Sequence, residues 1–286
     1  MTEDQAQGMF IGLAVGDALG TFLEFGPGRE PDNYLRDYTA GGPFDLPAGY
    51  WTDDTSMALA MADAIIRADG QLLPTMVLDN WISWEENGKF SSNGTCFDIG
   101  MTCASALRNF KQDWDPEGCG LADEYSSGNG ALMRMAPVII AARDEEQAVE
   151  WALHQTRLTH ASQLCQTYSE AFARELYRGE ALSDFQNLKL PRETPREDVK
   201  SGGFVKETYE CAWWALQNSD NFEDALVLAV NRGHDADTVG AVTGQIAGRI
   251  YGYSQIPERW IEGLHGEENL REVAKKLRMF GLWQAD

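Results

Sequence analysis

Gly8, Gly12, Gly16 and Gly20 recur at every fourth residue, and so do Gly240, Gly244, Gly248 and Gly252. On an α-helix, residues four apart lie on one face, so each set would form a bare backbone stripe. Each interior glycine costs about 1 kcal/mol relative to alanine. Either the segments break into loops at their glycines, or the stripes bring each backbone so close to a neighbouring helix that van der Waals packing offsets the cost. The second reading places both helices deep in the core. It predicts Gly12, Gly16, Gly244 and Gly248 buried at contacts tighter than the usual axis separation of about 8–10 Å.

Helical periodicity dominates elsewhere. Met57, Met61, Ala64, Ile65 and Ala68 share one face, as do Val205, Tyr209, Ala212, Trp213 and Leu216. Further helices are expected over residues 75–87, 98–110, 130–143, 145–158, 161–178, 222–231, 237–252 and 267–279. Strand-like alternation is scarce and no βαβ rhythm is present, so the expected class is all-α. Polar or Gly/Pro-rich stretches interrupt the helices at 25–50, 111–129 and 179–203. The last reads as an excursion, because polar clusters lie on both sides of it, and residues 1–286 are expected to form a single domain.

Asp and Glu number 45 against 23 Lys and Arg, a formal net charge of −22. Non-specific nucleic-acid binding is therefore not expected, since phosphate backbones are held by clustered cations. A phosphate-bearing ligand would have to be held locally, by backbone N–H groups or metal ions. The five cysteines form no C-x-x-C pair, which suggests neither a disulfide framework nor a zinc site. The apolar run from Met9 to Leu19 contains Asp17 and reads as too short for a bilayer. No membrane insertion is expected, and the expected location is cytoplasmic.

Two short segments concentrate hard oxygen donors just before helical runs: Trp51-Thr52-Asp53-Asp54-Thr55 and His234-Asp235-Ala236-Asp237-Thr238. Helix N-caps would explain one Asp and one Thr in each. They do not readily explain two carboxylates within three residues in both, since like charges repel unless a cation lies between them. Carboxylate and hydroxyl oxygens without cysteine suit Mg²⁺ or Mn²⁺, and a two-metal centre is the inference. Asp235 and Asp237 can face one ion only from a turn or a helix start. The turn Ser126-Ser127-Gly128-Asn129-Gly130-Ala131 leads into an expected helix, where free N–H groups could cradle a phosphate. Glu24 follows the first glycine stripe, Asp98 is placed at a helix start, and His160 lies in Leu158-Thr159-His160-Ala161-Ser162.

Five motifs, in order, resemble the ADP-ribosylglycohydrolase family. They are Gly12-Leu13-Ala14-Val15-Gly16-Asp17-Ala18-Leu19-Gly20, Thr52-Asp53-Asp54-Thr55, Gly128-Asn129-Gly130-Ala131-Leu132-Met133-Arg134, Leu158-Thr159-His160 and the run from Asn231 to Ala241. The branch that activates dinitrogenase reductase is similar also in Thr21-Phe22-Leu23-Glu24-Phe25 and Asp98-Ile99-Gly100. The resemblance implies a compact orthogonal helical bundle with a dinuclear Mg²⁺ or Mn²⁺ cleft. The implied ligands are Thr52, Asp53, Asp54, Asp235, Asp237 and Thr238. Glu24 and Asp98 match catalytic acidic positions near the reacting ribose, and Ser126, Gly128, Asn129, His160 and Phe204 match positions lining the substrate pocket. Met101-Thr102 stands where the activating branch has Asn-Thr, and Gly203-Phe204-Val205 where it tends to have Gly-Tyr-Val. These departures bear on recognition of the leaving side chain, while the acidic positions are intact.

The implied reaction is hydrolysis of the N-glycosidic bond between ADP-ribose and a protein arginine, in which an acid assists the leaving group and a base or metal activates water. The alternatives are another ADP-ribose adduct, on serine, nucleic acid or a small molecule, and a non-catalytic ADP-ribose-binding protein.

Overall fold

The structure, a computed structural model, describes residues 1–181 and 183–282. Among them are twelve α-helices and no β-strand: α1 (Glu3–Gly20), α2 (Asp53–Arg67), α3 (Pro74–Asn87), α4 (Met101–Asp113), α5 (Ala136–Ala141), α6 (Glu145–Arg157), α7 (Gln163–Arg178), α8 (Val205–Gln217), α9 (Phe222–Val230), α10 (Ala236–Tyr251), α11 (Glu258–Gly263) and α12 (Glu267–Leu282). Thr2 opens α1 with a reciprocal cap, its hydroxyl accepting from Gln5 N while Gln5 Oε1 accepts from Thr2 N.

The glycine stripes meet. α1 and α10 pack antiparallel along them, with Gly8 against Gly248, Gly12 against Gly244 and Gly16 against Gly240. A Cβ at Gly12 would lie 2.2 Å from Gly244 O, and one at Gly244 would lie 1.9 Å from Gly12 O. Real Cβ atoms do not approach carbonyl oxygens so closely, so backbone touches backbone only because both faces are bare. Every residue of α1 from Ala6 to Gly20 is buried, as is all of α10 from Ala236 to Arg249. Neither segment breaks within its helix; only Gly252 leaves it, as the positive-φ residue that ends α10.

Burial also revises the reading of the first apolar run. With the 3-10 turn that follows α1, Glu3–Leu23 is long and apolar enough to cross a bilayer, and its apolar window is 94% buried inside the fold. The sequence-based estimate counted too few residues. What the structure shows is the central helix of a core, onto which α2, α5, α9, α10 and α12 pack.

Two helix boundaries differ from the expected ones. The helix expected over 130–143 forms only as α5, because residues 130–135 make turns and Pro137 fits the first turn of a helix that starts at Ala136. The helix expected from residue 98 starts at Met101. Asp98 precedes it with φ +60°, a left-handed backbone that lies outside any helix start. The short helix α11 was not anticipated, since six residues carry too little periodicity. The 179–203 excursion is fastened through Lys189, whose buried ammonium pairs with Glu175 of α7, and Glu175 in turn accepts from the Tyr209 hydroxyl of α8.

Candidate active site and metal centre

The tight pairing of α1 and α10 sets the C-terminal end of α1 beside the start of α10, and the start of α2 joins them. Carboxylates are favoured at such N-termini, where unpaired N–H groups and the helix dipole carry partial positive charge. The residues at the two cap positions nevertheless do not cap their own helices, and of the acids in the motifs only Asp237 takes up a first-turn N–H, that of Thr238 (2.8 Å). Neither Thr52 nor Asp235, the residues at the two cap positions, makes a side-chain cap bond. The caps come from elsewhere in the chain. Asp17 of α1 accepts from Thr52 N (2.8 Å) and Thr52 Oγ1 (2.9 Å) through one oxygen, and from Thr55 N (3.0 Å) and Thr55 Oγ1 (2.6 Å) through the other. Glu24 Oε2 accepts from Ala236 N at 2.8 Å, capping α10.

With the cap positions served from elsewhere, Asp53, Asp54, Asp235 and the second oxygen of Asp237 are left to face one another. Ligand-capable oxygens of Asp17, Asp54 and Asp237 lie within 4.8 Å of one another, as do those of Glu24, Asp235 and Asp237. Asp237 belongs to both groups. Asp235 and Asp237 converge because one precedes the helix and the other lies in its first turn, as their spacing required. Asp98 also faces Asp237 from the loop before α4.

This cluster is short of protons. Thr52 Oγ1 lies 2.9 Å from Asp17, 3.1 Å from Asp54 Oδ2 and 3.2 Å from Asp237 Oδ2, and its single hydrogen serves one of them. Asp54 Oδ1 is buried without any hydrogen-bond partner. Among the described residues no Lys or Arg forms an ion pair with any of these carboxylates. Burial, followed by neighbouring carboxylates, pushes the acids upward: Asp17 and Asp235 to about 7, Asp98 to about 9, and Glu24, Asp53 and Asp54 well above the usual range. A hard cation, or two sharing Asp237, would satisfy this donor set of carboxylate and threonine oxygens. Thr52, Asp53, Asp54, Asp235, Asp237 and Thr238 fit such ions. Asp17, both of whose oxygens are already occupied by donors, fits the role of holding the α2 end in place.

Above the cluster opens a cleft of about 440 Å³. Glu24, Asp53, Asp98, Asp235 and Thr238 form its acidic floor, and Gly128, Asn129, Gly130, Met133 and His160 one wall. Phe25, Met101 and Cys103 also line it. Asn129 ties the wall to the floor, its amide donating to Asp235 Oδ2 (2.9 Å) and Thr208 Oγ1 (2.8 Å). Thr52, Asp54 and Asp237 lie beneath the floor. Two expected pocket residues stand outside the wall. The Ser126 hydroxyl turns away to donate to Asp123 at 2.8 Å, and Phe204, at the start of α8, leaves its ring partly exposed while its backbone bridges Gly128. The phosphate-cradle reading of the 126–131 turn is altered accordingly, because no helix begins there. Sequence reasoning passed over Asp17 as a site residue, although a lone carboxylate in a glycine-striped apolar helix was the available signal.

An all-α scaffold with a buried carboxylate cluster under an open cleft defines a class of acid-rich helical sites whose oxygen donors fit hard cations. The model of the ADP-ribosylglycohydrolase family matches residues 1–286, and the chain belongs to that family. It is 38% identical to "ADP-ribosylarginine hydrolase Tri1" of Serratia proteamaculans (strain 568), over 96% of this chain and 79% of that protein. It is 31% identical to "ADP-ribosyl-[dinitrogen reductase] glycohydrolase" of Rhodospirillum rubrum, over 98% of this chain and 97% of that protein. A solved "ADP-ribosylglycohydrolase-related protein complex" superposes with a TM-score of 0.83 at 34% identity, covering 98% of this chain and 99% of that one.

Proposed function

We propose that the chain hydrolyses the N-glycosidic bond between ADP-ribose and a modified protein arginine, and that it does so with two Mg²⁺ or Mn²⁺ ions. The observation that carries this reading is Asp237, common to both carboxylate groups and buried directly beneath the cleft. Two relatives named as ADP-ribosylarginine hydrolases, from Serratia and Pseudomonas, support arginine as the leaving side chain. All five cysteines are free, which supports the expected cytoplasmic location.

When bound, the ions would supply polarisation of ribose hydroxyls and of a water. The chain's own residues supply the rest. Glu24 and Asp98 enter the cleft from opposite loops, after α1 and before α4, and are the pair to which we assign proton transfer. Glu24 keeps one oxygen on Ala236 N, which fixes the other relative to the floor. Breaking the anomeric C–N bond develops positive charge on the sugar, and the surrounding carboxylates favour that charge over the neutral ground state. Asn129, held between Asp235 and Thr208, keeps the wall in register with the floor.

The test is turnover of ADP-ribosyl-arginine by the purified protein with Mg²⁺ or Mn²⁺, against the same adduct on serine. Release of ADP-ribose from arginine alone supports the reading, and release only from another linkage replaces it.

A further inference from the structure

Arg134 is fully buried in the core and forms no ion pair among the described residues, although the carboxylate of Asp53 lies within electrostatic reach, and all five of its N–H donors are used on neutral groups. Nε donates to Gln155 Oε1 (3.0 Å), and Nη1 to Met57 Sδ (3.4 Å) and Cys103 Sγ (3.7 Å). Nη2 donates to Gln155 O (3.4 Å) and Thr159 Oγ1 (2.6 Å). The guanidinium stacks on Trp81, 4.0 Å from the ring centroid. A buried guanidinium whose hydrogen bonds all go to neutral acceptors is costly, and its donor geometry constrains the groups around it.

We propose that Arg134 is a positioning residue that fixes His160 as a neutral imidazole with its proton on Nε2, an N–H donor reserved for an oxygen-rich ligand in the cleft. The chain of donors leaves one solution. Arginine cannot accept, so Thr159 Oγ1 must accept from Nη2. The one hydrogen of Thr159 is then left to donate, and His160 Nδ1 is 2.8 Å from Oγ1. The alternative recipient, the thiol of Cys103 beside Thr159, is the weaker acceptor and already takes a hydrogen from Arg134. His160 Nδ1 therefore accepts, and Nε2 carries the hydrogen. Nε2 makes no protein hydrogen bond and faces the cleft between Gly128 and Gly130, where a Cβ at either position would lie 3.2 Å from it. Burial, followed by the positive charge of Arg134 behind it, keeps the ring from taking a second proton. The bare backbone at Gly128 and Gly130 leaves this donor uncovered. Its match is an acceptor-only group, such as a diphosphate or ribose oxygen of the ligand class proposed above.

Nitrogen-15 NMR of the histidine-labelled full chain reads the tautomer directly, with no substrate or metal required. The expected spectrum has His160 Nδ1 unprotonated and Nε2 protonated, and unchanged from pH 7.5 to pH 5. Thr159→Val should lose that fixed tautomer and weaken binding of ADP-ribose, used as the probe, about tenfold. Thr159→Ser should restore both, which a packing role for the threonine methyl would not. A proton on Nδ1, or a ring that charges near pH 6, overturns the inference, as does a valine variant with the wild-type spectrum. Arg134→Lys should soften the tautomer preference if it folds, and the threonine pair decides the matter if it does not. Failure of the wild-type chain to bind ADP-ribose would count against the proposed function and leave the tautomer measurement to stand or fall by itself.

Discussion

Gly16 and Gly240 touch through their backbones: a Cβ at Gly16 would lie 2.0 Å from Gly240 O, and one at Gly240 would lie 2.3 Å from Gly16 O. Because the obstacle is main chain on both sides, no rotamer can relieve it. Gly16→Leu or Gly244→Leu is therefore expected to destabilise the fold by roughly 1–3 kcal/mol or more. Thermal melts of the purified variants check this. An unchanged melting temperature would remove close approach as the reason for the stripes.

Asp53→Ala or Asp237→Ala is expected to abolish turnover of ADP-ribosyl-arginine. EDTA should do the same to the unaltered chain, with recovery on adding Mg²⁺ or Mn²⁺. Full activity in EDTA would eliminate the dinuclear reading.

Glu24→Gln and Asp98→Asn preserve side-chain shape, and the glutamine can still accept from Ala236 N. The variant that removes the proton-transfer group should bind ADP-ribose normally by calorimetry while losing about 100-fold or more in rate. If both variants turn over at the wild-type rate, neither carboxylate has that role.

Asp17→Asn leaves one oxygen where the carboxylate now serves two backbone N–H groups and two hydroxyls. The support of the α2 end is lost, and with it the bonds that hold the proposed ligand Thr52 in place. The expected result is a metal affinity lower by about 10–100-fold, read by titration with Mn²⁺, and a lower melting temperature even without metal.

Without a cation, the carboxyl groups of Asp17, Asp235 and Asp98 take up protons more readily in the folded chain than in the unfolded one, at about 7, 7 and 9 against 3.8. The unfolded chain releases those protons first as pH rises, so stability drops with pH. In EDTA the contribution of these groups is complete only below about pH 4, and the melting temperature is expected to fall progressively from there through pH 7 towards pH 9. Added Mg²⁺ or Mn²⁺ should flatten that decline, because ionised carboxylates then have a partner. A melting temperature in EDTA that climbs over the same range would contradict the account.

Much of this was legible in the sequence because it was written at helical spacing. Glycines four apart announce a stripe wherever they occur, and Thr52-Asp53-Asp54 and Asp235-Ala236-Asp237 stand out as carboxylates too dense for capping. What periodicity cannot express is which distant side chain does the capping. Asp17 and Glu24 fill that role from across the fold, and nothing near Thr52 or Ala236 in the chain signals it. Asp98 was misplaced for a related reason: its left-handed backbone is set by the loop around it, and aspartate is among the few residues that tolerate such a conformation. Residues 130–135 look helical by composition, yet they are held as turns, with Gln245 of α10 donating to the carbonyls of Leu132 and Met133.

The bond from Ala236 N to Glu24 joins positions 212 residues apart. The acidic floor therefore has no local precursor: its halves come from the first and last portions of the chain. Closing so long a loop is slow compared with forming any of the intervening helices. During synthesis, the early carboxylates must wait for nearly the entire chain to emerge before their counterparts exist. The centre is thus expected to be among the last parts of the molecule to assemble, and appearance of tight Mn²⁺ binding during refolding should trail the recovery of helical circular dichroism.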